Sequence, residues 1–132
     1  AGAPQRLIDM GVADYLVGST LSLVISQRLT RQLCQKCREK INDSFFGEAY
    51  DGVGCKFCGG TGFKQRTGIF ESMVVTPDIS ELITRDPREE SVKNLMKEKG
   101  VISLEEDAAE KVRLGMIEPR SALRAISATL LD

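Results

Sequence analysis

Cys34-Gln35-Lys36-Cys37, then seventeen residues, then Cys55-Lys56-Phe57-Cys58-Gly59-Gly60-Thr61-Gly62: these two stretches hold every cysteine of a 132-residue chain. A Cys-x-x-Cys turn presents two thiolates on one side of a tight knuckle. Two such knuckles at this separation supply the tetrahedral set that zinc takes, with sulfur at ~2.3 Å from the metal. The glycines after Cys58 permit positive backbone φ and let amide groups turn toward the sulfurs. Four thiolates at Cys34, Cys37, Cys55 and Cys58 leave no open coordination position, so the expected zinc is single and structural. Iron, disulfides and redox-active pairs are the competing readings. No charged segment followed by an apolar core and a cleavage site points to secretion. In a reducing setting paired cysteines favour metal over disulfides.

Composition narrows the chemistry further. Histidine and tryptophan are absent, which excludes a Ser-His-Asp triad, a Cys-His pair, histidine-ligated zinc and imidazole acid–base work. The formal net charge is −1, from 18 basic and 19 acidic residues, so phosphate-backbone binding has no overall electrostatic support. No apolar run approaches the ~18–20 residues that would span a membrane. The start, Ala1-Gly2-Ala3-Pro4 without an initiator Met, reads as a piece cut from a longer protein.

Outward from the cysteines, Leu23, Ile25, Gln27 and Leu29 alternate with Val24, Ser26, Arg28 and Thr30, and this period of two predicts a strand entering the first knuckle. Thr67 to Val75 predicts the returning strand, so the expected frame is a half-buried hairpin carrying the cysteines at its end. Ahead of it, Tyr15, Leu16 and Leu21 with the small Gly18 and Ser19 suit a short packed helix. Beyond it four amphipathic helices are expected. Thr76-Pro77 precedes Ile79, Leu82 and Ile83; Asp86-Pro87 precedes Val92, Leu95 and Met96, with Gly100 closing. Ser103 and Glu106 have capping-box spacing ahead of Leu104, Ala108 and Val112, closed by Gly115. Glu118-Pro119 opens a last helix with Leu123, Ile126 and Leu130. The fold class expected is mainly α with a small β-hairpin, a zinc-bound double-knuckle insertion at the hairpin end, and a short C-terminal four-helix bundle.

The loop from Arg38 to Gly54 is polar, with Ile41, Phe45, Phe46 and Tyr50 among its few apolar residues, and is expected to need the metal to order. Residues 1–70 carry net +3 and residues 71–132 net −4. The positive excess surrounds the cysteines at Lys36, Arg38, Lys40, Lys56, Lys64 and Arg66. Offsetting the negative charge of a four-thiolate zinc site is the favoured reading. Nucleic-acid contact is the alternative, with Phe57 and Phe63 available for stacking.

Two lookalikes fail on their own residues. The cysteine-rich domain of J-domain chaperones shares Cys55-x-x-Cys58-x-Gly60-x-Gly62 but needs four such repeats, and the first pair lacks the glycines. A rubredoxin-like iron site uses a Cys-Pro-x-Cys-Gly knuckle that neither pair has.

Taken together, three segments resemble the type II secretion and type IV pilus extension ATPases. They are Ala3-Pro4-Gln5-Arg6-Leu7-Ile8-Asp9-Met10-Gly11-Val12, the strand Val24 to Leu33 running into Cys34-Gln35-Lys36-Cys37, and Gly54 to Cys58 with the return Gly62 to Glu71. Ser103 to Ala108 with Lys111, Val112 and Gly115 is similar to the family's C-terminal helices, although Ala108 stands where the family often has glycine. The resemblance implies a C-terminal portion of such an ATPase: residues 1–33 the end of a RecA-like core, 34–66 the tetracysteine zinc subdomain, 67–132 a return strand and helical subdomain. It further implies a parent that hydrolyses Mg-ATP as a homo-hexamer at the cytoplasmic face of the inner membrane. There it would work with a membrane platform protein and a cytoplasmic membrane-anchoring protein in pilin or pseudopilin assembly.

No Gly-x-x-x-x-Gly-Lys-Ser/Thr loop occurs here, so ATP and Mg belong to the parent alone and no catalytic residue is carried over. The spacer of 17 is at the short side for the family, and the related retraction ATPases lack the cysteines. The function expected is a non-catalytic structural and interaction module, with no nucleic-acid partner. The alternative is an autonomous zinc ribbon binding nucleic acid or protein.

Overall fold

A computed structural model describes residues 1–130, with side chains through Ser127. Leu130, expected on the apolar face of the last helix, lies outside the described side chains. In chain order the elements are α1 (Ala3–Asp9), α2 (Asp14–Thr20), β1 (Leu23–Leu33), β2 (Arg38–Asp43), β3 (Gly47–Gly52), β4 (Phe63–Val74), α3 (Pro77–Arg85), α4 (Glu89–Glu98), α5 (Leu104–Arg113) and α6 (Pro119–Leu130). β1 pairs with β4, and β2 pairs with β3. The chain divides into two compact units, residues 1–26 with 71–103 and residues 27–70 with 104–132.

The first unit gathers α1 to α4 around Val17, Met73, Ile79, Leu82, Ile83, Val92 and Met96. α2 meets α3 at Gly18, where a Cβ would stand 2.4 Å from Thr84 Oγ1 and 2.8 Å from the Ser80 carbonyl oxygen. The Ser80 hydroxyl donates to the Gly18 carbonyl at 2.5 Å, which a side chain at 18 would push away. Pro77 starts α3 as expected, after Thr76 at the N-cap. Pro87 does not start α4, which begins at Glu89. The Asp86 carboxylate is instead held by Arg88 Nε and Nη2 at 2.7 and 2.8 Å and by the Ser91 hydroxyl at 2.5 Å. Gly100 closes α4 with φ +74°, and the Val101 N–H reaches back to the Met96 carbonyl at 3.0 Å.

The second unit packs α5 and α6 with Ala49 of β3 and Ile69 of β4, around Leu104, Ala108, Val112, Ile117, Ala122, Ala125 and Ile126. Leu123 faces outward at 38% exposure, and Ala122 and Ala125 turn inward in its place. The four C-terminal helices therefore do not share one bundle core: α3 and α4 belong to the first core, α5 and α6 to the second. The apolar side of β1 is also not the covered one. Leu23, Ile25 and Leu29 are 50%, 58% and 61% exposed, while Val24 on the opposite side packs on the first core.

The 38–54 stretch holds a second hairpin that the residue pattern did not suggest. β2 and β3 run antiparallel, from Arg38 opposite Gly52 to Asp43 opposite Gly47. The Asp43 carboxylate accepts the Phe45 and Phe46 N–H groups at 2.8 and 2.9 Å, closing an Asx-type turn. With four strands in the described residues, the fold is more mixed than the mainly α class expected.

Candidate metal centre

Cys34 follows directly on β1, and Cys37 directly precedes β2. The first knuckle closes by the Arg38 N–H donating to the Cys34 carbonyl at 3.2 Å, and the second by the Gly60 N–H donating to the Cys55 carbonyl at 2.8 Å. Two backbone bonds tie the flanking segments: Cys34 N–H to the Gly62 carbonyl at 2.9 Å and Val53 N–H to the Cys37 carbonyl at 3.4 Å. Hairpin β2–β3 fills the interval between the pairs and returns the chain from Cys37 to Cys55.

All four Sγ atoms lie within 4.8 Å of one another, and no disulfide joins them. Cys34 and Cys55 sulfurs are 3.8 Å apart, Cys37 and Cys58 3.9 Å, and Cys55 and Cys58 3.8 Å. A regular tetrahedron of sulfurs ~2.3 Å from a central ion has edges of about 3.8 Å. The donor set fits a four-coordinate thiophilic ion in both chemistry and spacing. Cys34 and Cys58 are buried and the other two partly so, which limits solvent access to the sulfurs.

The expected amide contacts are present. Cys58 Sγ accepts the Cys55 and Gly62 N–H groups, both at 3.2 Å. Gly62 can do this because its φ is +82° and because its Cα lies hard against the Gly52 backbone, where a Cβ would be 2.7 Å from the Gly52 carbonyl oxygen. The Thr61 hydroxyl sits 2.8 Å from the Cys58 carbonyl and 3.0 Å from the Phe63 carbonyl, bracing the same turn.

These surroundings drive the thiols apart. Burial pushes Cys37 up to about 12, opposed by one amide contact from Gly54 and reinforced by the neighbouring thiols. Burial also raises Cys58, but the amides of Cys55 and Gly62, joined by the Cys55 and Cys37 thiols, outweigh it and bring it down to about 6. Cys58 is thus readily present as thiolate near neutral pH, whereas a metal must displace the proton that Cys37 holds.

Sequence reasoning missed what anchors the first knuckle. Arg38 Nη1 donates to the Leu114 and Gly115 carbonyls at 2.8 and 2.9 Å, and its guanidinium lies 4.7 Å over the Tyr50 ring. Gln35 Nε2 donates to the Leu33 carbonyl at 2.9 Å and the Gly115 carbonyl at 3.2 Å. The Leu33 N–H reaches the Met116 carbonyl at 2.8 Å. Arg38 thus serves the open carbonyls at the end of α5, beyond any offset of sulfur charge. Of the other cations, Lys36 and Lys64 sit over Phe57, at 4.0 and 5.0 Å from its ring centre.

A mixed α/β chain carrying two cysteine knuckles between its strands defines a tetracysteine domain, and comparison places that domain in a family. The model of the Type II/IV secretion system protein family matches residues 1–124, and the chain belongs to that family. It is 33% identical over 122 residues to the type II secretion system protein HxcR of Pseudomonas aeruginosa, covering 92% of this chain and 25% of that protein. With the type IV pilus assembly ATPase PilB of Thermus thermophilus it shares 34% identity over 130 residues, 88% of this chain and 15% of the relative. The type II secretion system ATPase E of Vibrio cholerae is 33% identical over 135 residues, 93% of this chain and 27% of that protein. The chain thus spans about a quarter or less of the length of these relatives.

Proposed function

We propose that the chain is the zinc-binding C-terminal portion of a secretion or pilus-assembly ATPase, non-catalytic in itself. One observation carries the reading: four sulfurs at tetrahedral spacing, in a chain of this family. Cys34, Cys37, Cys55 and Cys58 would hold one zinc ion, which supplies a cross-link between the two knuckles and no open position for chemistry. Residues 1–33 would end the RecA-like core, residues 34–66 form the zinc subdomain, and residues 67–132 the return strand and helical subdomain. ATP and Mg would be bound by the parent hexamer elsewhere, since no phosphate-cradling loop occurs in this sequence. The module would help couple ATP hydrolysis to pilin or pseudopilin assembly through the inner-membrane platform protein and the cytoplasmic membrane-anchoring protein. Its place would be the cytoplasmic face of the inner membrane; no described helix is long and apolar enough to cross a membrane.

Metal analysis of the purified chain tests this. One zinc per chain, lost in Cys34→Ser, is the expected result. A folded chain that takes up no zinc from a metal buffer overturns the reading.

A further inference from the structure

The second unit carries an open groove of about 890 Å³ between α6, the β2–β3 hairpin and the ends of β1 and β4 nearest the knuckles. Leu123 lines it, left out of the core of this unit at 38% exposure while Ala122 and Ala125 turn inward. Ile41 of β2, 39% exposed, lines it as well. Between them they offer apolar surface that the fold does not bury.

Six charged side chains share the groove, three of each sign, but they are not equally committed. Asp43 takes the Phe45 and Phe46 N–H groups, and Asp51 takes the Gly52 N–H at 2.8 Å. Glu118 takes the Ser121 hydroxyl at 3.0 Å and lies 3.7 Å from Arg31, whose guanidinium covers the Phe63 ring. Arg120 and Arg124 are exposed one turn apart on α6, with Leu123 between them in sequence. Neither has a hydrogen-bond or ion-pair partner among the described residues. The carboxylates are held, and two guanidinium forks are open.

A guanidinium takes a carboxylate through two parallel hydrogen bonds. A carboxylate side chain flanked by aliphatic ones therefore matches two open forks set beside Leu123 and Ile41, as in a segment anchored along a groove. A phosphate backbone does not match, because it would run past Asp43, Asp51 and Glu118 with like charge at each.

We infer that this groove is a docking site for an acidic, apolar segment of a partner protein, its Asp or Glu side chains pairing with Arg120 and Arg124 and a Leu, Ile or Phe packing on Leu123 and Ile41. This gives the interaction role proposed above a partner chemistry. It rests on that reading only for the zinc-loaded fold that sets the β2–β3 hairpin in place.

The test is selection from a random peptide library on the full, zinc-loaded chain, followed by fluorescence polarisation of an enriched peptide. Enriched sequences are expected to combine Asp or Glu with Leu, Ile or Phe, and to shift amides of β2 and α6. Arg120→Ala and Arg124→Ala should each weaken the peptide by about three-fold, and Leu123→Ser by about five-fold. The double reversal Arg120→Glu with Arg124→Glu should abolish capture, while Lys56→Ala at the second knuckle should leave it unchanged. Zinc content and far-UV circular dichroism are read on every variant, and Ile41→Ser replaces any that loses zinc. No enrichment, enrichment of basic or uncharged peptides, or capture that survives the double reversal overturns the inference. So does tighter binding of single-stranded DNA, or a dimer that the double reversal breaks, which would give the groove to a second copy. A failure of the zinc assignment shows separately, in the metal content.

Discussion

At the scale of single residues, the site turns on the backbone as much as on the thiols. Gly62 donates to Cys58 Sγ, gives its carbonyl to Cys34 N–H, and lies against Gly52 with no room for a Cβ. An alanine at 62 would have to leave the left-handed conformation or displace the Gly52 carbonyl, and either shift withdraws an amide from the sulfur. We expect Gly62→Ala to weaken zinc binding by about 10–100-fold, the range for loss of a group that orients a metal ligand. Competition with a chromophoric chelator measures this. Gly60→Ala is the control: its φ is also positive, but an added Cβ meets nothing within 4 Å, so the loss should be smaller. That glycines would be needed here was legible from Gly59, Gly60 and Gly62 after the second pair. Which one carries the sulfur contact was not, because it depends on Gly52 returning alongside.

Among the elements, the junction between the first knuckle and α5 is the least anticipated. α5 ends at Arg113, and Gly115, with φ +71°, turns the chain as the capping pattern predicted. Its open carbonyls at Leu114 and Gly115 are then taken by Arg38 and Gln35, residues about 80 positions earlier in the chain. Hydrogen bonds to a charged donor are worth about 1.5–3 kcal/mol. Arg38→Ala should accordingly destabilise the zinc-loaded chain by roughly 1–3 kcal/mol in denaturant unfolding. It should also speed amide exchange around Leu114 to Ile117. Arg38→Lys should recover only part of the loss, since an ammonium cannot reproduce the planar fork or its stacking on Tyr50. Unchanged stability in Arg38→Ala would show that the capping is dispensable.

For the whole molecule, the two cores set what metal removal should do. Leu104, Val112 and Ile126 pack in the unit that contains the knuckles, while Ile79, Ile83 and Val92 pack in the other. Chelation is therefore expected to loosen residues 34–66 together with the α5–α6 turn that Gln35 and Arg38 hold. The amides of α3 and α4 should keep their protection. Heteronuclear NMR before and after complete metal removal reads this directly. Unchanged shifts in 34–66 would refute it, and so would collapse of α3 and α4 along with the knuckles.

The local grammar of the chain determined a good deal by itself. The period of two in β1, proline at the first turns of α3 and α6, and Gly100 and Gly115 after α4 and α5 all act through near neighbours. Cysteine spacing likewise limits which thiols can share one ion, and the sulfurs do converge. Tertiary structure alone decided which face of β1 is covered and that four consecutive helices divide between two cores. It also decided that Arg38 caps a helix far along the chain. The physical reason is common to these: each depends on surface or carbonyls supplied by residues distant in sequence. Periodicity shows that a face is apolar, but only packing selects what comes to lie against it.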